Sequence, residues 1–280
     1  ASTRWSSPKG SSGPRKKTRF SRSASSTGRD ISSGVRPSRC RVGREEGYRP
    51  PLSDDPAIVF DHVTAGDRTI PRCIDVSFAV ARGSTYAIAG RVGSGKRAIL
   101  TCLRGRLEPQ EGSVRVLGLD PRRNRWKLRR RVRYIPADEA HDPGSGPPPE
   151  LVLRDGANPP RLPAGVTGVL FTSDPLLAAA ADRVAFLKGG RLVREEDANS
   201  LAARFRRIRY VNEMTESRTE YGNELDAFDA VRVKVRGWGI DAVVSNFDAA
   251  AFDRFRAIEG VKDAVALSIT IEEIFEAVVG

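Results

Sequence analysis

Eight residues limit what this chain can fold into. Gly90-Arg91-Val92-Gly93-Ser94-Gly95-Lys96-Arg97 follows the apolar run Thr85-Tyr86-Ala87-Ile88-Ala89 and precedes Ala98-Ile99-Leu100-Thr101-Cys102-Leu103. The first run reads as a buried strand and the second as the opening turns of a helix. Glycines between them let the backbone wrap so that successive N–H groups point inward, and the helix start adds its positive end. That arrangement suits phosphate oxygens, with Lys96 long enough to reach the outermost ones. The octapeptide fits G-x-x-x-x-G-K-[ST] except at its last position, where Arg97 stands in place of the hydroxyl residue that ligates Mg²⁺. A guanidinium has donors only and cannot take that role. The sequence therefore predicts a nucleotide site made of Gly90, Arg91, Val92, Gly93, Ser94, Gly95, Lys96 and Arg97. ATP is the implied cofactor, and Mg²⁺ lacks one of its usual ligands. Arg97 has two readings: a fixed cation that neutralises phosphate charge, or a helix residue facing solvent. The plain alternative for the whole stretch is a glycine-rich turn without a ligand.

The formal charge of +12 on 280 residues looks like a signal for a polyanion partner until it is located. Residues 1–50 hold 13 Lys/Arg against Asp30, Glu45 and Glu46, which leaves the remaining 230 residues at +2. Those first 50 residues are rich in Ser, Arg, Gly and Pro, the composition of a disordered tail. Four readings stay open: a contact with anionic lipid or nucleic acid, an organelle transit peptide, sequence upstream of the native start, or a solvated tail without a specific partner. Cys40, Cys73 and Cys102 have no metal-ligand spacing and suggest a reducing compartment with ordinary buried thiols. No apolar run approaches the roughly 18 residues that span a bilayer.

Ordered sequence is expected from Pro56. Ala57–Val63 and Cys73–Val80 alternate like strands, Ser113–Gly118 is a further strand, and the basic segment Arg129–Pro136 enters another. Leu151-Val152-Leu153 and Val166–Phe171 are short apolar runs suited to buried parallel strands. Ala178–Asp182 and Ser200–Arg206 read as helices, with Val184–Leu187 a strand between them. Beyond position 225 the pattern changes to strand 230–236, helix 252–258, strand 263–269 and an amphipathic helix 271–278. The predicted class is α/β, a mostly parallel P-loop NTPase-type sheet with an antiparallel β subdomain. A disordered basic tail (1–55) precedes the nucleotide-binding domain (56–210), and a small α+β extension (211–280) follows it.

This order of segments resembles the nucleotide-binding domain of an ATP-binding-cassette (ABC) transporter. The match runs through Ile58–Val63, Ile74–Phe78, the phosphate loop, Pro109–Val116, Ala181–Val184 and Lys188–Val193. The end of the chain, Leu267–Phe275, is similar to the C-terminal extension of the ABC-2 exporter branch. The resemblance implies an integral membrane permease as partner, a homo- or heterodimer of cassettes, and a cytoplasmic location on the inner face of the cell membrane.

Several parts of the family's catalytic apparatus have no counterpart here. The adenine-stacking aromatic corresponds to Ala65, the Gln that senses Mg²⁺ and the γ-phosphate to Ala137, and the switch His to Ser173. In the Walker B strand Asp155 is retained as the candidate metal ligand, while the general-base position is Gly156. The segment carrying L-S-G-G-Q is reduced to Glu139–Glu150 without that motif, and the Pro-rich Asn158–Gly165 replaces a loop and helix. The resemblance thus implies an ATP-binding exporter subunit impaired in hydrolysis. The alternative is a regulatory or scaffold pseudo-ATPase that keeps the fold for partner contacts.

Overall fold

In the computed structural model the described residues are 55–67, 70–139, 148–156, 162–212 and 223–280. The expected basic tail lies outside them apart from Asp55, as do residues 140–147 of the shortened Glu139–Glu150 segment and 158–161 of the Pro-rich one. Arg49–Gly280 makes one compact unit.

A six-stranded sheet organises this unit. Its strands are β3 (Thr85–Gly90), β5 (Val132–Ile135), β6 (Leu151–Asp155), β7 (Thr167–Thr172), β8 (Arg183–Lys188) and β9 (Arg191–Asp197). The order is β5-β6-β7-β3-β8-β9, parallel throughout except for the antiparallel β9. The central strands are apolar on consecutive positions because both faces are covered. Tyr86, Ile88, Leu151, Leu153, Val169 and Phe171 face helix α1 (Lys96–Leu103) and the antiparallel sheet β2-β1-β4. That smaller sheet is formed by β1 (Ile58–Gly66), β2 (Pro71–Val80) and β4 (Glu111–Val116), with Phe60, Phe78 and Tyr86 stacked at 5.0 and 5.4 Å between rings.

On the opposite face Ala87, Ala89, Leu170, Val184 and Phe186 pack against α6 (Ile271–Val279), with α3 (Pro175–Ala178) and α4 (Ala198–Arg204) alongside. The last helix of the C-terminal extension is therefore part of the main core. A capping box between Thr270 and Glu273 starts it, and Phe275 places its ring 6.2 Å from that of Phe186. A four-stranded antiparallel sheet, β11-β12-β10-β13, completes the extension. Its strands are β10 (Arg206–Asn212), β11 (Ala230–Arg236), β12 (Gly239–Val244) and β13 (Val261–Leu267). Helix α5 (Ala249–Arg256) covers one face of it through Phe252 and Phe255.

Three local expectations are corrected. The helix expected at 178–182 is α3, one turn earlier, because Asp174 accepts from the Leu176 N–H at 2.9 Å and Pro175 opens the turn. The helix expected at 200–206 begins at Ala198, where the Asp197 carboxylate accepts from the N–H groups of Asn199 and Ser200. The boundary expected at 210/211 falls inside β10, an interior strand of the C-terminal sheet.

Candidate phosphate-binding site

The carboxyl ends of β3, β7 and β6 lie side by side, which is where open parallel sheets hold ligands. The octapeptide 90–97 leaves β3 there and enters α1. Gly95 sits at φ 106 with its Cα under the Arg72 carbonyl, a place no Cβ fits. Gly190, in the turn between β8 and β9, clamps the loop from outside. Its N–H donates to Ser94 O at 2.9 Å, and its carbonyl accepts from the Ile74 N–H at 2.7 Å. The N–H groups of Gly93, Gly95, Lys96 and Arg97 have no acceptor among the described residues. Together with the α1 N-terminus they are donors arranged for an anion.

Lys96 folds over this cradle. Its ammonium donates to Gly90 O at 2.6 Å and Arg91 O at 3.0 Å, and lies 3.4 Å from Ser173 Oγ. Burial lowers its pKa, and the nearby Asp155 carboxylate works in the opposite direction. Arg97 is exposed, with no side-chain partner among the described residues. Arg91 points the other way, its guanidinium bonded to both oxygens of Glu276 in α6 at 2.9 and 2.8 Å. The C-terminal helix therefore braces the loop, a contact across 185 positions that no local sequence signal announces.

The remaining positions carried over from the family gather at the same edge. Asp155 ends β6 and Gly156 follows it, donating its N–H to Phe171 O at 3.0 Å. Gly156 has φ 113, and a Cβ there would lie 2.8 Å from Ala137 Cα. The sensor and general-base positions, Ala137 and Gly156, are thus packed against each other. Ser173 is beside Lys96, while Asp174 serves as the cap of α3. Ala65 is corrected: it is wholly buried in β1 opposite Cys73, so its side chain faces the core and not a bound base.

The chemistry of these donors fits a polyphosphate: four N–H groups without an acceptor among the described residues, a lysine and a helix start lie within one eight-residue turn. They do not amount to a metal site. Asp155 is the carboxylate at this edge, Arg97 offers no acceptor, and no group of three His, Cys, Asp or Glu that could hold a metal occurs among the described residues.

A parallel sheet with this loop at its carboxyl edge defines a nucleotide-binding α/β protein of the P-loop class. The chain belongs to the ABC transporter family, whose profile matches residues 73–220, just over half of it. The mycobactin import ATP-binding/permease protein IrtB of Mycolicibacterium smegmatis is 48% identical over 65 residues, 23% of this chain and 11% of that protein. The methionine import ATP-binding protein MetN of Rhizobium meliloti is 40% identical over 78 residues, 26% of this chain and 22% of that protein. The chain thus spans between about a tenth and a quarter of the length of these relatives. Among solved structures, a bacterial Atm1-family ABC exporter with ATP bound superposes with a TM-score of 0.46 at 20% identity, over 55% of this chain and 41% of that one. CbiO1 from Clostridium perfringens, part of the ABC transporter complex cbiONQ, gives 0.45 at 15% identity, over 54% and 92%.

Proposed function

We propose that this chain is the nucleotide-binding part of an ABC exporter of the ABC-2 branch, holding ATP on residues 90–97 without hydrolysing it. Its own residues account for binding: the N–H cradle and Lys96 meet the phosphates, and Arg97 supplies a fixed positive charge at the helix start. Asp155 favours the charged form of Lys96 against its burial and is the one retained metal-side position. The observation that carries the reading is the contact of Gly156 with Ala137. A Cβ at position 156 would meet Ala137, so a carboxylate base does not fit at the position that follows Asp155. A cassette of this kind would dock on an integral membrane permease, as a homo- or heterodimer, on the cytoplasmic face of the membrane. Among the described residues no helix is long and apolar enough to cross a bilayer, which leaves the spanning segments to a partner or to another part of the protein.

Calorimetric titration with ATP, with and without EDTA, tests this. Affinity that survives EDTA and falls at least tenfold in Lys96→Ala supports it, together with hydrolysis at background. Magnesium-dependent turnover abolished by Lys96→Ala overturns the non-hydrolytic part, and absence of ATP binding overturns the rest. The Arg91–Glu276 brace favours a second reading, a regulatory scaffold whose C-terminal extension holds the loop closed. Co-purification with a permease separates the two.

A further inference from the structure

A recess at the C-terminal end of α1, lined by none of residues 90–97, is far more basic than the loop. Its volume is about 690 Å³, within the range of ligand sites. Arg104, Arg106, Arg122, Arg123, Arg125 and Arg129 line it, and no carboxylate does. The stretch that forms most of its wall, residues 121–133, carries eight Lys/Arg and no acid in thirteen positions. Arg122 is paired with Glu108, and Arg123 with Asp120 at 3.6 Å. Arg104, Arg106, Arg125 and Arg129 have no acidic partner among the described residues. Crowding of this kind costs free energy unless an anion enters. Burial, Arg106 and Arg125 all push the Arg104 pKa down, with Tyr134 and Asp155 opposing.

Two flat groups sit among these charges. Trp126, in the short helix α2 (Arg125–Leu128), is 73% exposed. Arg104 lies 3.6 Å over the Tyr134 ring, which holds its guanidinium in place at the wall of the recess. One exposed indole, with the Lys127 ammonium 5.3 Å from its ring centre, set among guanidinium groups is a combination that holds single-stranded nucleic acid, phosphates on the cations and bases on the flat groups. A bilayer surface is flat and could not reach Leu103, Arg104 and Tyr134 at the floor. An acidic peptide would use the charges and leave the indole and guanidinium planes unused.

The geometry points to a binding groove for single-stranded nucleic acid, RNA or DNA, between the end of α1 and the 121–133 stretch, with Trp126 and Arg104 as its stacking faces. The net charge of +2 on residues 51–280 hides this groove, because acids elsewhere in the fold cancel it in the average.

Titration of the full chain with oligouridylate, and in parallel with oligothymidylate, followed by tryptophan fluorescence and by anisotropy of a labelled strand, tests the groove. The basic residues 1–50 are present in every variant, so any affinity they contribute is constant. Binding is expected to quench fluorescence in the parent chain. Trp126→Phe should lower the quench to whatever residues 1–50 contribute through Trp5 and keep most of the affinity, since a ring remains. Trp126→Ala should weaken binding roughly tenfold. A triple Arg106/Arg125/Arg129→Gln chain should lower the slope of log affinity against log salt by about 2, at roughly 0.7 per lost phosphate contact. Stronger binding of one oligonucleotide tells RNA from DNA. A quench as large in Trp126→Phe as in the parent chain overturns the assignment, since it then comes wholly from Trp5 or Trp238. So does a salt slope unchanged in the triple variant, or an equal quench by polyglutamate or phosphatidylserine vesicles at matched charge. Far-ultraviolet circular dichroism of each variant verifies folding, and Lys96→Ala, which disables the other site, should leave the quench intact.

Discussion

Placing a carboxylate at the position after Asp155 should destabilise the protein and, under the proposed non-hydrolytic function, should confer no ATP hydrolysis. Gly156→Glu places a side chain on a residue with φ 113, a region that costs non-glycine residues roughly 1–3 kcal/mol. Its Cβ would then stand 2.8 Å from Ala137 Cα and 2.9 Å from Ala137 Cβ, so backbone must shift whichever rotamer the glutamate adopts. Overpacking of that kind adds roughly 1–3 kcal/mol. The two effects share one relaxation and do not simply add, so a loss near 3 kcal/mol is expected, on the order of a hundredfold in the folded-to-unfolded ratio. For a body of this size the corresponding fall in Tm is about 6–12 °C. Thermal and urea unfolding of Gly156→Glu and Gly156→Ala measure it. The alanine variant should show most of the same loss, because the Cβ and the backbone angle are common to both. Combining Ala137→Gly with Gly156→Glu should recover part, since the 2.9 Å contact goes and the 2.8 Å one stays. A Gly156→Glu protein as stable as its parent would refute the reasoning. So would magnesium-dependent ATP hydrolysis appearing in that single variant.

Phe275→Ala, which empties a nearly buried site between α6 and Phe186, should cost about 3–5 kcal/mol and lower one cooperative urea transition. A C-terminal helix that only leans on the core would instead unfold first in a separate step. Glu150, bonded by Arg131 at 2.5 and 2.8 Å, has its pKa held below the ordinary 4.5 by that bond. It therefore stabilises the fold above pH 4.5, and the contribution is lost as pH falls through the depressed value. Glu150→Gln should flatten the acid limb of the stability profile below pH 4.5 and leave the neutral plateau lowered only slightly, since the pair is exposed. Cys102, buried and with its pKa pushed up to about 12 chiefly by that burial, should not react with Ellman's reagent until the protein unfolds, and Cys73 should behave alike.

Much of the chain was legible because its signals are local. Strand Thr85–Gly90, the phosphate loop and helix Lys96–Leu103 follow from apolar runs bracketing glycines, and α6 from its apolar spacing after Thr270. Asp174-Pro175 and Asp197 are caps that a sequence can show, and they start α3 and α4 two to three residues before the expected helices. Strands β10 and β12 were not legible as strands: Arg206 and Arg207 open β10 straight after a helical pattern, and β12 is a short run that starts on Gly239 and carries Asp241. Arg207 and Arg209 are tolerable there because they lie near Asp241 on the neighbouring strand, at 3.3 and 3.9 Å. Pairing of that kind is invisible until the strands have been brought together.

What the sequence determined by itself was the class and the cradle: a strand, a glycine loop and a lysine at a helix start admit few other folds, since backbone conformation there depends on neighbours in the chain. What only the tertiary structure decided was everything that rests on distant partners. The Arg91–Glu276 brace, the closure of Gly156 on Ala137, the burial of Ala65 and the convergence of six arginines on one recess join residues that are far apart or differently oriented in the chain. Composition averages over such groups, and only packing, which fixes where each side chain ends, separates a neutral domain from one with a strongly charged groove.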